Sequence, residues 1–174
     1  MRVLRLIIVV IAAGTILWIS LFSPRLTFKV EEMYSGVRLY QAPVKEGDGF
    51  VLEFVHSVER TPVKEVFRIE RDGKIYLVET EYESFGAGLP TMPDEREESV
   101  VEGGKIRITG MRREIEPFLV AVSPVPGHVL TVGGEEVVLA SLAKPGTGLR
   151  IRVVREPLLA PFLGRRYEWM RGQN

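Results

Sequence analysis

The sequence contains no cysteine, which excludes disulfide bridges, thiol nucleophiles, iron–sulfur clusters and cysteine zinc sites. It has only two histidines, His56 and His128, so any metal centre is limited to two imidazole ligands. An excess of charge is also missing, because 23 Lys and Arg residues balance 23 Asp and Glu residues. This balance argues against a nucleic-acid-binding protein that neutralises phosphates. The 174 residues suit one globular domain, and we expect no cofactor.

Charged residues are absent from an apolar run, Leu6–Phe22. At 1.5 Å per residue this run spans roughly 25 Å, against a hydrocarbon core of about 30 Å. Arg2, Arg5 and Arg25 flank it, and no acidic residue precedes position 26. We therefore expect a single N-terminal transmembrane helix in the cytoplasmic membrane, with the N-terminus inside and the rest of the chain outside.

The predicted organisation has three parts: a signal anchor over residues 1–25, an extracytoplasmic β domain over 26–154 and a C-terminal tail over 155–174. The alternative is secretion after signal cleavage, although no small-x-small cleavage site follows the apolar run. The tail mixes aromatic side chains with arginines. Such a mixture suits a membrane surface or a membrane-protein partner, and equally a segment packed on the β domain.

From Leu26 onward, apolar and polar residues alternate in short runs separated by Gly- and Pro-containing turns. This pattern predicts an all-β fold, an antiparallel β-sandwich or open barrel behind the N-terminal helix. The acidic stretch Asp94–Glu102 is expected to be a solvated loop. The predicted strands are Leu26–Met33, Val37–Gln41, Phe50–Ser57, Val63–Glu70, Lys74–Tyr82, Lys105–Thr109, Glu116–Val122, Val129–Val132, Glu136–Ala140 and Leu149–Val154.

Two turns predict how the central strands pair. With the first turn at Arg60-Thr61, the facing residues are Leu52 and Ile69, Phe54 and Phe67, His56 and Glu65, Val58 and Val63, and on the other face Glu53 and Arg68. With the second at Asp72-Gly73, they are Ile69 and Tyr76, Phe67 and Val78, Glu65 and Thr80, and Val63 and Tyr82. We therefore expect a three-stranded meander on which His56, Glu65 and Thr80 form a polar row, with Tyr82 one step beyond.

A carboxylate facing an imidazole on an apolar face allows three interpretations. The pair is a structural one at the end of the sheet, a binding site, or part of a catalytic site. Catalysis would need Ser57 or Ser84 as the nucleophile, but Ser57 points away from His56 and Ser84 lies further along, so no complete catalytic set is evident. A metal held by His56, Glu65 and His128 is a weak possibility, since their spacing is not local, and we assign no metal ligand.

The loop after the meander carries Gly86, Ala87, Gly88, Leu89 and Pro90. No lysine and no predicted helix follow it, which argues against phosphate binding. Its glycines instead permit positive φ angles or a close approach of another chain. His128 opens a strand after a turn and is a candidate for the same end of the sheet.

Three stretches together carry a family resemblance: Phe54–Val58 with Thr61–Glu65, Ser84–Pro90 and Gly127–Leu130. Over roughly residues 27–154 the chain resembles the family called domain of unknown function 1850. The resemblance implies an exported or anchored accessory protein of solute uptake, encoded beside TAXI-type TRAP transporters. It marks His56, Ser57, Glu65, His128 and the loop Gly86–Pro90, without assigning them a role.

The leading hypothesis is a non-enzymatic, membrane-anchored accessory protein. Its expected partner is the membrane subunit or the solute-binding subunit of a TRAP transporter. The alternatives are an extracytoplasmic hydrolase or metal-dependent enzyme that uses His56 and Glu65, and a small-ligand-binding β module.

Overall fold

The structure is a computed structural model that describes residues 2–83, 97–123, 125 and 127–157. Helix α1 spans Arg2–Phe22 and the one-turn helix α2 spans Leu139–Leu142. The strands are β1 (Pro24–Glu32), β2 (Arg38–Val44), β3 (Gly49–Val55), β4 (Pro62–Ile69), β5 (Ile75–Tyr82), β6 (Glu98–Glu102), β7 (Lys105–Thr109), β8 (Arg113–Glu114), β9 (Phe118–Ala121), β10 (Val129–Val132), β11 (Glu135–Val138) and β12 (Gly148–Pro157).

The strands form two sheets. The smaller sheet has the order β2-β1-β12-β9. The larger has the order β11-β10-β3-β4-β5-β7-β6, with β8 also paired to β5. Strands that follow each other in the chain, such as β3 and β4 or β6 and β7, pair in an antiparallel manner. Their short connections allow no other direction. The expectation of an all-β antiparallel fold is therefore confirmed.

An aromatic cluster joins the two sheets. Phe28 of β1 packs edge-on against Phe50 of β3, with ring centroids 4.9 Å apart. Phe118 of β9 lies 4.8 Å from Phe67 of β4, which stacks on Phe50 at 4.8 Å. Such aromatic pairs stabilise a core beyond the area they bury. The face of the larger sheet that carries Phe50 and Phe67 is called the inner face below, and the opposite one the outer face.

The chain divides into two compact units. Thr27–Val154 forms one of them and contains the aromatic cluster, whereas α1 belongs to the other. Counting the residues that the structure describes, no helix combines the length and the apolar character needed to cross a membrane.

Several predicted strand boundaries need correction. Part of the expected solvated loop, Glu98–Glu102, is strand β6, whose residues are all exposed. It pairs with β7 through Gly103 and Gly104, whose φ angles of 60° and 82° form a tight hairpin turn. The predicted strand over Glu136–Ala140 ends at Val138, where α2 begins, and β12 runs on to Pro157. Acidic composition concealed β6, because exposed edge strands carry charges that discourage pairing with other chains.

Candidate functional site

The β3–β4 hairpin does not place His56 opposite Glu65. Glu65 faces Leu52, and Val63 faces Phe54. The hairpin closes at His56, whose backbone N–H donates to the carbonyl of Thr61 over 2.8 Å. Residues 57–60 therefore form the loop, which lies two residues earlier than the predicted turn. A positive φ of 56° at Arg60 reverses the chain ahead of Pro62, which begins β4 without a backbone N–H to donate.

In the observed β3–β4 register, the residues have other cross-strand partners than predicted, but each side chain stays on its predicted face of the sheet. The four predicted inner pairs of this hairpin and the predicted Glu53–Arg68 pair are wrong, because Glu53 faces Lys64. Side chains alternate with a period of two along a strand, and the register has shifted by an even number of residues. Glu65 therefore still shares the inner face with Phe67, as the alternation in the sequence predicts.

The β4–β5 hairpin has the predicted pairs at its far end. Glu65 faces Thr80 and Val63 faces Tyr82, so these two predictions are confirmed. Beyond Val66 the register shifts at a β-bulge in β5, and Phe67 faces Leu77 instead of Val78. Ile69 consequently faces Ile75 and not Tyr76. A bulge inserts one residue, which is why the error is confined to one end of the hairpin.

Glu65 and Thr80 form a polar pair in apolar surroundings. Thr80 is fully buried, and in the described part of the chain its Oγ1 has no hydrogen-bond partner. Glu65 is half-buried and makes no hydrogen bond or ion pair there. Burial raises the pKa of Glu65 from 4.5 to about 7. Near neutral pH this carboxyl group is therefore able both to donate and to accept a proton.

His128 lies on the inner face at the neighbouring position. The β10–β3 register, continued by one residue, places it opposite Phe54, and the two rings have centroids 5.2 Å apart. Its Nδ1 is buried and unpartnered within the described residues. Burial lowers the pKa of His128, because the charged imidazolium is poorly solvated there.

His56 has a structural task in the hairpin loop. Its side chain is 9% exposed, and its Nδ1 accepts a hydrogen bond of 3.2 Å from the backbone N–H of Glu59. The backbone of His56 also binds both ends of the loop, since its carbonyl accepts from Arg60 over 2.8 Å. These contacts support the structural interpretation of His56, and they leave Nδ1 engaged and unsuited to act as a general base.

Four residues, Thr61, Glu65, Thr80 and His128, are called the inner polar patch here. The strand registers and the β3–β4 loop spread them over three successive cross-strand rows at one end of the inner face, so Thr61 lies about 13 Å along the strand from Glu65. Thr61 shares with Thr80 a buried Oγ1 that lacks a partner among the described residues. Buried groups of this kind are usually satisfied by water or by a bound molecule. The patch thus offers hydrogen bonds, and its one carboxyl group, that of Glu65, is mostly protonated below about pH 7.

The other predicted site residues divide into two sets. Ser57 is exposed in the β3–β4 loop, and Tyr82 is buried, which raises its pKa. Gly86, Ala87, Gly88, Leu89 and Pro90, together with Ser84, lie outside the described residues. Thr61 was missed by the sequence analysis, although it has the same strand parity as Glu65 and could have been found by that signal.

A metal centre built from His56, Glu65 and His128 is not formed. Over residues 2–83, 97–123, 125 and 127–157, no three His, Asp or Glu side chains come close enough to hold a metal ion. His56 lies four residues beyond Leu52, the partner of Glu65, which corresponds to about 13 Å along the strand.

The fold and the patch define the class of this protein: an antiparallel two-sheet β domain with polar groups on an otherwise apolar inner face. The sequence profile of the family Domain of unknown function (DUF1850) matches residues 50–139, just over half of the chain. The chain belongs to this family. The matched segment runs from β3 to the start of α2 and includes the whole inner polar patch. No curated protein and no solved structure matches the chain.

Proposed function

We propose that this protein is a membrane-anchored accessory protein whose β domain works by binding. One observation carries the proposal, namely the apolar surface that α1 exposes. The exposed large apolar residues of α1 are Val3, Leu6, Ile7, Ile8, Val9, Val10, Ile11, Ile16, Leu17, Trp18, Ile19 and Phe22.

A helix that is apolar on all sides is stable when lipid or protein covers it. The 21 residues of α1 correspond to about 31 Å, close to the hydrocarbon thickness of a bilayer. Arg2 and Arg5 at its start favour a cytoplasmic N-terminus and an extracytoplasmic β domain.

The proposed partner is a TAXI-type TRAP transporter. This proposal rests on what the family resemblance implies, because genes of this family often lie beside the genes of these transporters. An anchored β domain outside the cytoplasm would meet either the membrane subunit or the solute-binding subunit. A binding role also agrees with His56, whose Nδ1 is engaged by the backbone of its own loop.

Co-purification tests the partnership. The full chain, carrying an affinity tag, is expressed in its native membranes, extracted in mild detergent and isolated. We expect transporter subunits in the eluate, and none with an equally tagged single-helix membrane protein of unrelated sequence. Isolation of the chain alone, together with unimpaired solute uptake in a deletion strain, would reject the partnership.

A second candidate function, a small-ligand-binding module, is favoured by the inner polar patch. It contains three buried atoms that have no hydrogen-bond partner among the described residues: Thr61 Oγ1, Thr80 Oγ1 and His128 Nδ1. A high-resolution crystal structure of the full chain tests this candidate. Density for a bound molecule at Glu65 and Thr80 would support it, whereas a dry, closed apolar contact would exclude it.

A further inference from the structure

The outer face of the larger sheet holds a cleft of about 280 Å³, distinct from the inner polar patch. It lies across β3, β4 and β5 at the end of the sheet that bears the β3–β4 loop. Its lining includes Glu53, Val55, Pro62 and Lys64, and the cleft is called the outer cleft.

The floor of the outer cleft is apolar. Val55 faces Pro62 across the β3–β4 pair, and Val55 keeps 37% of its surface exposed. Pro62 is exposed as well. An exposed apolar floor beside a few charged groups is typical of small-molecule sites.

Glu53, Lys64 and Glu83 are charged lining residues of this cleft that make no ion pair or hydrogen bond within the described part of the chain. Glu53 faces Lys64 directly across the strands. Glu81 and Lys105 line the same cleft but are paired, since Glu81 accepts hydrogen bonds from Lys105 Nζ at 2.9 Å and from Arg107 at 2.6 Å.

We propose that the outer cleft binds a small zwitterion with an apolar side chain, which is the chemical class of apolar α-amino acids. The carboxylate of the ligand pairs with Lys64, its ammonium group pairs with Glu53, and its side chain lies on Val55 and Pro62. A volume of about 280 Å³ corresponds to roughly nine water molecules, enough for a molecule of leucine's size. Because both ends of the ligand are charged, each pairing is a charge-assisted hydrogen bond. This proposal does not depend on the proposed transporter partnership.

Calorimetric titration of the full chain in detergent with leucine tests the ligand class. Two analogues each lack one charge: 4-methylpentanoate has no ammonium group, and 3-methylbutylamine has no carboxylate. We expect leucine to bind about tenfold or more tightly than either analogue, since each loses one charge-assisted pairing. No heat of leucine binding up to about 10 mM, a concentration at which even weak small-ligand sites fill, would overturn the proposal. Equal binding of all three compounds would overturn it as well.

Substitutions locate the site. Lys64→Gln is expected to weaken leucine binding about tenfold or more and to remove the preference for leucine over 3-methylbutylamine. Glu53→Gln is expected to remove the preference for leucine over 4-methylpentanoate instead.

Two variants serve as controls. Arg68→Gln removes a positive charge from the same strand and face as Lys64, and Glu136→Gln removes an exposed carboxylate from β11. Both should bind leucine as the parent chain does. If Lys64→Gln and Arg68→Gln bind leucine equally well, the assignment to the outer cleft is wrong.

Discussion

Glu65 is the residue whose environment most clearly costs stability. Its pKa is 4.5 in an unfolded chain and about 7 in the folded one, so the folded protein binds more protons between these pH values. The free energy of unfolding must therefore fall as the pH rises through this range. Above about pH 7 the full cost is present, and it amounts to about 3 kcal/mol.

The substitution Glu65→Gln removes this cost. We expect the variant to exceed the parent chain by about 3 kcal/mol in free energy of unfolding at pH 8, and to match it near pH 4.5. Urea denaturation at a series of pH values measures the difference. The control Glu136→Gln changes an exposed carboxylate and should follow the parent curve. If the free energy of unfolding depended on pH in the same way in Glu65→Gln and in the parent chain, the carboxyl group of Glu65 would have to be solvated or paired.

Thr80 gives a second residue-scale prediction. Its buried hydroxyl has no partner among the described residues, so Thr80→Val replaces it by a methyl group of the same shape. Removing an unsatisfied buried polar group is expected to leave the free energy of unfolding unchanged or to raise it by about 1 kcal/mol. A loss of more than about 1 kcal/mol would instead reveal a hydrogen bond from Thr80 to water or to a bound molecule.

His56 is expected to act through the loop that it caps. Alanine at this position loses the acceptor for the Glu59 N–H and should lower the free energy of unfolding by about 1–2 kcal/mol. Asparagine can present an oxygen near the position of Nδ1, so His56→Asn should keep a good part of that energy. Equal losses in both variants, measured by urea denaturation, would contradict the capping role.

The faces of individual residues could be predicted from the sequence, whereas their partners could be predicted only in part. Alternation alone placed Glu65 and Thr80 on the inner face, because a period of two fixes the face of each residue. The pairing of His56 with Glu65 failed, since it required knowing that residues 57–60 form the loop. Arg60 in a positive-φ conformation gives no sequence signal, because arginine rarely adopts it.

At the scale of elements, the turns and one bulge decided which predicted pairs are found. The Asp72-Gly73 turn has the residues that a tight turn demands, but the pairs next to it differ from the prediction by one residue, and the bulge restores the predicted pairs at the far end of β4 and β5. The bulge near Val66 could not be foreseen, because Ile75–Val78 are all apolar and hide the change of alternation that an extra residue causes. Strand β6 was hidden for another reason, namely that its five residues are exposed on both faces.

Gly73 tests how tightly the β4–β5 turn is packed. Its φ is +87°, and a Cβ at this position would lie 2.9 Å from the backbone oxygen of Val153. Gly134 has nearly the same φ, +84°, with open space around it. Gly134→Ala should therefore lose only the strain of a left-handed residue, about 1 kcal/mol. We expect Gly73→Ala to lose at least about 1 kcal/mol more, because the clash is with backbone.

Thermal and urea denaturation of the two alanine variants measures this difference. Since their backbone strain is matched, the comparison isolates the contact between the turn and β12. Equal losses in the two variants would mean that the turn is not packed against Val153.

At the scale of the whole molecule, the chain joins an apolar helix to a two-sheet β domain. The domain is stabilised by its aromatic cluster, whereas α1 exposes most of its large side chains. This contrast is the basis of the proposed anchoring. The sequence could predict both parts from hydropathy and alternation, but it carries no direct signal for the partner, because a binding surface needs no fixed motif.

A charge in the middle of α1 should weaken anchoring. Ile11→Arg places an arginine where the bilayer centre would be, at a cost of about 2.5–3.5 kcal/mol. Leu119→Arg makes the same chemical change at an exposed position of β9 and serves as the control. We expect a larger fraction of the Ile11→Arg chain to be released from isolated membranes. Equal release of the two variants would argue against insertion of α1.

Alkaline carbonate extraction of native membranes that contain the full chain tests the central claim most directly. Carbonate strips proteins bound to the membrane surface and leaves inserted helices in place. The account predicts that the chain stays in the membrane pellet together with an integral membrane marker. Recovery of the chain in the supernatant would contradict membrane anchoring by α1.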